Sequence, residues 1–237
     1  MVRSRLGLKA LGLCVLVLGL MGISAGAAQA EGGKWFFNGA ELSAALEPQV
    51  VGEVDGTSAT LKTKIIGKVV KFTCTKATLV GVKLKSGGTL STGGSVRFEG
   101  CKTFIEGVES KSCEPFTGSE KGVVVTDKGK GLLALHTGGL TTTIIEPEVA
   151  GKAFGTIHMS ELCSIGEEVP VFGKLFIKDT EATTELVTHL ITELEALTKL
   201  YVISDTAEHL ETKIEGGAKV FLTGTGHVGV KWSGKAN

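Results

Sequence analysis

The feature that most constrains the fold is a two-residue alternation interrupted by glycine. In KVVKFTC (68–74), Val70, Phe72 and Cys74 share one face and Lys71 and Thr73 the other. In SVRFEG, Val96 and Phe98 oppose Arg97 and Glu99, and in HVGVKW the expected inward set is Val228, Val230 and Trp232, with His227 and Lys231 outward. Side chains alternate across a strand, so such runs describe half-buried strands. They recur about every 8–12 residues, the spacing of a sandwich or barrel. The chain has 34 glycines and only four prolines, and the glycine pairs at 86–88, 92–94, 137–139 and 215–217 are expected to be turns. The expectation is all-β: one sandwich or distorted barrel of a dozen or more mostly antiparallel strands, with at most one short helix.

One stretch fits two periods. Leu186, Leu190, Leu194, Leu197 and Tyr201 fall on helical spacing, while Val187, His189 and Ile191 alternate against Leu186, Thr188 and Leu190. Strands over about 183–192 and 198–203 are the expectation.

The N-terminus carries Arg3, Arg5 and Lys9, then an apolar run from Ala10 to Ile23 and the small-residue site Ala28-Gln29-Ala30. This is the pattern of a cleaved secretory signal over residues 1–30; the run is shorter than the ~20 residues that span a bilayer. Cys14 follows Leu13 inside the run and serves there as a hydrophobe rather than a lipidation site. The remainder, 31–237, is expected to be a single secreted, extracellular domain with no membrane insertion. Removing the signal leaves 22 basic against 25 acidic residues, a net charge of −3, with Arg97 as the one arginine. A nucleic-acid partner needs a concentrated basic face and is disfavoured.

Four cysteines remain: Cys74, Cys101, Cys113 and Cys163. An even number in an exported chain points to two disulfides, with three pairings open. Cys101 and Cys113 bracket a short charged loop in FEGCKTFIEGVESKSCEP, so the expected pairs are Cys101–Cys113 and, by elimination, Cys74–Cys163. No C-x-x-C redox spacing or close zinc pair is present. The exposed loop residues Glu106, Glu109 and Lys111 are a candidate partner contact.

Certain segments together resemble a known group: KWFFNGAEL, FTC, FEGC followed by KSC, ELC ahead of VFGKLFIKD, and VFLTGTGHVGVKWSG. Over nearly all of 31–237 the chain resembles the uncharacterised secreted β-rich proteins found in many copies in some soil actinobacteria. The resemblance implies export, a strand-built fold and strands over 183–203. It implies no activity, because its motifs are turn glycines, cysteines and tryptophans.

Motifs with catalytic overtones have blander explanations. GTGHVG (224–229) matches G-x-G-x-x-G, but a dinucleotide site needs that loop to open a helix, and the eight residues that follow fit a strand. His136, His158, His189, His209 and His227 are scattered. In HMSELC, His158, Glu161 and Cys163 cluster, but Cys163 is needed for a disulfide. His158 and His189 are expected to be hydrogen-bonded at a sheet face and His227 to face solvent. There is no G-x-S-x-G elbow. Glu146 and Glu148 in IIEPEVAG are expected to be solvated acids at a turn rather than a glycosidase pair. Trp35 and Trp232 are expected to form a core corner. No catalytic residue, metal or cofactor is assigned. The expected role is non-enzymatic, in binding an extracellular partner or cell-envelope component or as structural matrix. The alternatives are a glycan- or small-ligand-binding sandwich and, after it, a secreted hydrolase.

Overall fold

The computed structural model describes residues 33–136, 139–179, 182–193, 198–203 and 209–236. The expected signal, 1–30, lies outside the described residues. The strands in chain order begin with β1 (Lys34–Phe37), β2 (Ala40–Glu41), β3 (Gln49–Ile65), β4 (Lys68–Cys74) and β5 (Lys76–Val80). Next come β6 (Leu84–Lys85), β7 (Thr89–Glu99), β8 (Lys102–Ile105) and β9 (Val108–Glu109). After a 3-10 turn at Lys111–Cys113 follow β10 (Phe116–Thr117), β11 (Glu120–Lys121), β12 (Val123–Val125), β13 (Gly129–His136), β14 (Leu140–Pro147) and β15 (Gly155–His158). The last are β16 (Glu168–Asp179), β17 (Thr188–Glu193), β18 (Lys199–Ile203), β19 (His209–Thr223) and β20 (Trp232–Lys235). The protein is all-β, and that 3-10 turn is the one helical element among the described residues. Of the ambiguous stretch, β17 and β18 are strands, and residues 194–197 lie outside the described set. Residues 183–187, expected to belong to the first strand, instead form a turn and bend with a single bridge from Leu186 to Trp232.

The ladders trace a distorted barrel. From β7 they run antiparallel through β13, β14, β16, β17 and β19 to β3. The start of β3 continues alongside the chain after β5 through the bridge Gln49–Lys83 and the Val50 N–H to Val82 carbonyl bond, and β5 pairs back onto β7. The path therefore closes, which removes exposed sheet edges along it.

Each long strand changes partners halfway. β16 pairs with β15 and β18 up to Lys174, then with β14 and β17. β19 pairs with β18 up to Thr212 and with β17 from Gly217. The bends fall at Gly173 (φ +114) and Gly216 (φ +122), where a side chain would meet the Lys199 and Ser58 carbonyl oxygens respectively. Glycine bulges turn the corners of a barrel in this way. Two of the glycine pairs expected to be turns are thus interior to strands: 92–94 lies within β7 and 215–217 within β19, each beside a register shift. The pair at 86–88 does form a turn, and of the third pair Gly139 is a turn residue while 137 and 138 lie outside the described residues.

Two packed cores result. One gathers Val70, Phe72, Val124, Ile157, Val171, Leu200 and the four cysteines. The other gathers Trp35, Leu42, Val50, Leu84, Leu133, Val220, Leu222 and Trp232 under the small sheet β2–β1–β20. The tryptophan rings lie 5.7 Å apart, and both are buried in a core corner. The expected strand over HVGVKW begins only at Trp232. Gly224, Gly226 and Gly229 adopt positive φ, successive turns close at His227 and Val230, and Val228 is left 75% exposed.

Candidate functional site

Between the two cores the barrel is hollow. Three adjoining cavities of about 120, 140 and 170 Å³ share Leu79, Val96 and Ile177 as walls. Taken together they fall in the lower part of the ~300–1,000 Å³ typical of ligand sites. From Val171 to Ile177 along β16 the hollow extends about 20 Å at ~3.3 Å per residue. Its lining comes from the inward positions of nearly every long strand. Leu79, Val96, Phe98, Leu175, Ile177 and Ile214 all face it and stay half-buried, because no side chain fills the space they look onto. The space is bordered by the small residues Ala59, Ala77 and Ala218, while Leu79 already closes over Gly52. Close-packed interiors leave few such voids.

The polar groups gather at the tryptophan end. Asp179, Trp35 and Trp232 line the hollow there. His189 is fully buried, with Nδ1 2.6 Å from Asp179 Oδ2, Nε2 2.8 Å from the Trp232 carbonyl oxygen, and its ring 4.2 Å from the Trp232 ring. Both nitrogens thus lie within 3 Å of an oxygen. The Trp35 Nε1–H donates to the Thr89 carbonyl at 2.9 Å, whereas the buried Trp232 Nε1–H meets no acceptor among the described residues. A buried unpaired donor is uncommon and costly.

The four cysteines form two disulfides, but not in the expected pairs: Cys74 joins Cys101 and Cys113 joins Cys163. The β4–β8 register explains the first. Thr73 lies opposite Lys102, so the next pair outward is Cys74 and Cys101. The charged loop does form the hairpin β8–β9, but Cys113 then turns inward on the 3-10 turn, its carbonyl held by Thr103 Oγ1, and reaches Cys163 instead. The loop acids have local partners: Glu109 pairs with Lys102 at 3.1 Å and Glu106 accepts from the Val69 N–H.

The remaining candidates stay apart. His158 lies 3.3 Å from Glu168 and 6.3 Å from the Phe116 ring, half-buried on a sheet face between β10 and β16. His227 is half-buried, edge-on to Phe37 at 5.4 Å, rather than fully solvent-facing. Glu146 lies within strand β14, next to its last residue, bridging Lys174 at 2.5 Å and Lys130 at 3.4 Å, and only Glu148 lies in the bend beyond. Burial opposes ionisation of Glu146, yet the hydrogen bonds and charges of Lys174 and Lys130 hold its carboxyl below the usual range. GTGHVG forms turns and opens no helix. His189 and Asp179 have the spacing of a catalytic dyad, but a carbonyl oxygen stands where a nucleophilic hydroxyl would be needed. Among the described residues, no three His, Cys, Asp or Glu side chains are grouped to hold a metal, and no helix is long and apolar enough to cross a membrane.

The apolar lumen and its tryptophan end were not singled out in the sequence. The unpaired Trp232 donor leaves no sequence signal, although the small residues facing the lumen do sit at inward positions of alternating runs. No family model matches the chain, and neither a curated protein nor a solved structure matches it.

Proposed function

We propose that this is an exported, non-enzymatic binding protein whose lumen takes a small apolar ligand carrying a hydrogen-bond acceptor at one end. The observation that carries the proposal is the row of half-buried apolar side chains facing an unfilled interior between two well-packed cores. Water in such a space has few partners, so an apolar guest replaces it favourably. The acceptor would pair with the Trp232 Nε1–H, and the apolar body would lie along Leu79, Val96 and Ile177. A glycan fits poorly, since the hollow presents almost no polar wall outside the tryptophan end. Two buried disulfides are compatible with an extracellular location, and kinship with the secreted actinobacterial proteins is part of the same proposal.

The test is a titration of the purified, oxidised protein with a fluorescent acyl-chain probe, beside calorimetry with soluble oligosaccharides. The expected result is saturable one-to-one probe binding with a negative heat-capacity change, weakened by Trp232→Phe. Oligosaccharide binding without probe binding would overturn it.

A further inference from the structure

Three two-residue hairpin turns among the described residues have positive φ at both central residues, the type I′ geometry. They are Asn38-Gly39, Ile66-Gly67 and Glu106-Gly107. Asn-Gly is the preferred pair for that turn. Isoleucine is among the worst, because its branched Cβ crowds the backbone at positive φ. Yet Ile66 sits at φ +50 and is 62% exposed, so burial among the described residues does not account for it. The neighbouring tip carries Val108, 71% exposed. The two tips are joined, because Val70 pairs with Ile105 and the Glu106 N–H donates to the Val69 carbonyl at 2.9 Å. Two exposed apolar residues therefore lie at the same end of the barrel, Ile66 in the β3–β4 turn and Val108 just after the β8–β9 turn.

Behind them the surface is basic. Lys62 and Lys71 lie directly opposite each other on β3 and β4, with Lys64 nearer the tip on the same face and Lys68, opposite Ile65, on the other face beside the turn. Like charges placed cross-strand are unfavourable. Elsewhere lysines meet carboxylates, as in Lys34–Glu41, Lys76–Glu99 and Lys219–Asp55. These four reach none within ion-pair distance among the described residues. Glu106 at the tip and Glu211 on β19 offset part of their charge.

We infer that this double tip docks on an anionic lipid bilayer, with Ile66 and Val108 entering the headgroup layer and the four lysines facing acidic headgroups. An apolar tip on a basic collar is suited to such a surface, where burial and charge attraction act together. Docking is independent of whether the lumen holds a ligand.

Flotation with phosphatidylcholine vesicles, with and without phosphatidylglycerol, tests this. Binding is expected only with phosphatidylglycerol and should fall with salt. The double variant Lys62→Gln/Lys71→Gln should bind about tenfold more weakly or worse. Ile66→Asn, which suits the turn better, should lose vesicle binding while keeping acyl-probe binding and losing no thermal stability. Val96→Phe, which fills the lumen, should keep vesicle binding. Equal binding to pure phosphatidylcholine, binding to neither, or binding that survives both tip and lysine substitutions overturns the inference. So does full competition by soluble polyphosphate, which would identify a soluble polyanion as the partner.

Discussion

Replacing Val96 by phenylalanine tests whether the interior is hollow, because the sign of the stability change differs between a void and a packed core. Val96 pairs with Leu79 across β5 and β7, and both line all three cavities. In a close-packed interior, inserting a ring costs about 1–3 kcal/mol through strain. In the hollow, the added carbons gain burial at up to ~0.8 kcal/mol each. Incomplete enclosure and the lost rotamer freedom of the ring reduce this to a net gain of about 1 kcal/mol. The matched control is Val70→Phe, at a position with no exposure inside the disulfide-end core, which should cost about 1–3 kcal/mol. Urea unfolding reads both, with the midpoint shifting and the slope unchanged. If Val96→Phe destabilises as much as Val70→Phe, the space is not there and the proposed function falls with it.

Other consequences are independent of the lumen. Peptide mapping of the oxidised protein should recover Cys74–Cys101 and Cys113–Cys163, and the loops they close, 27 and 50 residues in separation, are each worth about 4 kcal/mol in the chain-entropy model. A Cys74→Ser/Cys101→Ser variant should show that loss in denaturant melts, and recovery of a Cys101–Cys113 peptide would contradict the register argument. Ile66→Asn should stabilise by about 1 kcal/mol, because it relieves a β-branched residue at positive φ, and should raise Tm by roughly 2–4 °C; a lower Tm would show that Ile66 packs on something. Acid should weaken the fold through Glu146, whose folded carboxyl titrates below its unfolded value. Its contribution is present above the unfolded carboxylate pKa of about 4.3 and is lost as pH falls through the folded value. The Tm of Glu146→Gln should therefore fall less steeply than that of the unaltered protein below about pH 4; parallel curves would remove Glu146 from the acid response.

Alternation made the strands legible, as at Val70, Phe72 and Cys74, because a period of two directly reports which side faces the core. It carried less information about glycine. Gly216 and Gly93 stand in pairs that resemble turns, yet at those sites a strand continues and bends, and only the partner strands distinguish a bulge from a turn. The cysteine pairing failed for a similar reason. Cys101 and Cys113 are near in sequence, but β4, more than twenty residues earlier, supplies the neighbour that register places beside Cys101. At HVGVKW the apolar alternation held, but three glycines free to adopt positive φ converted it into turns. The lumen was hidden because a hollow is a property of facing residues: Ala59, Ala77 and Ala218 are ordinary singly and border a space only when brought together. His189 was expected to be hydrogen-bonded at a sheet face, and its inward face and its contacts to Asp179 and Trp232 depend on β20 crossing beneath it.

The central claim is that the barrel interior is an apolar space open to a guest, and diffraction from a crystal under xenon pressure addresses it most directly. Xenon enters dry apolar cavities and is located by its scattering. The account predicts xenon bound among Leu79, Val96 and Ile177, absent in crystals of Val96→Phe. Interior side chains packed through that space, with no xenon between the two cores, would contradict it.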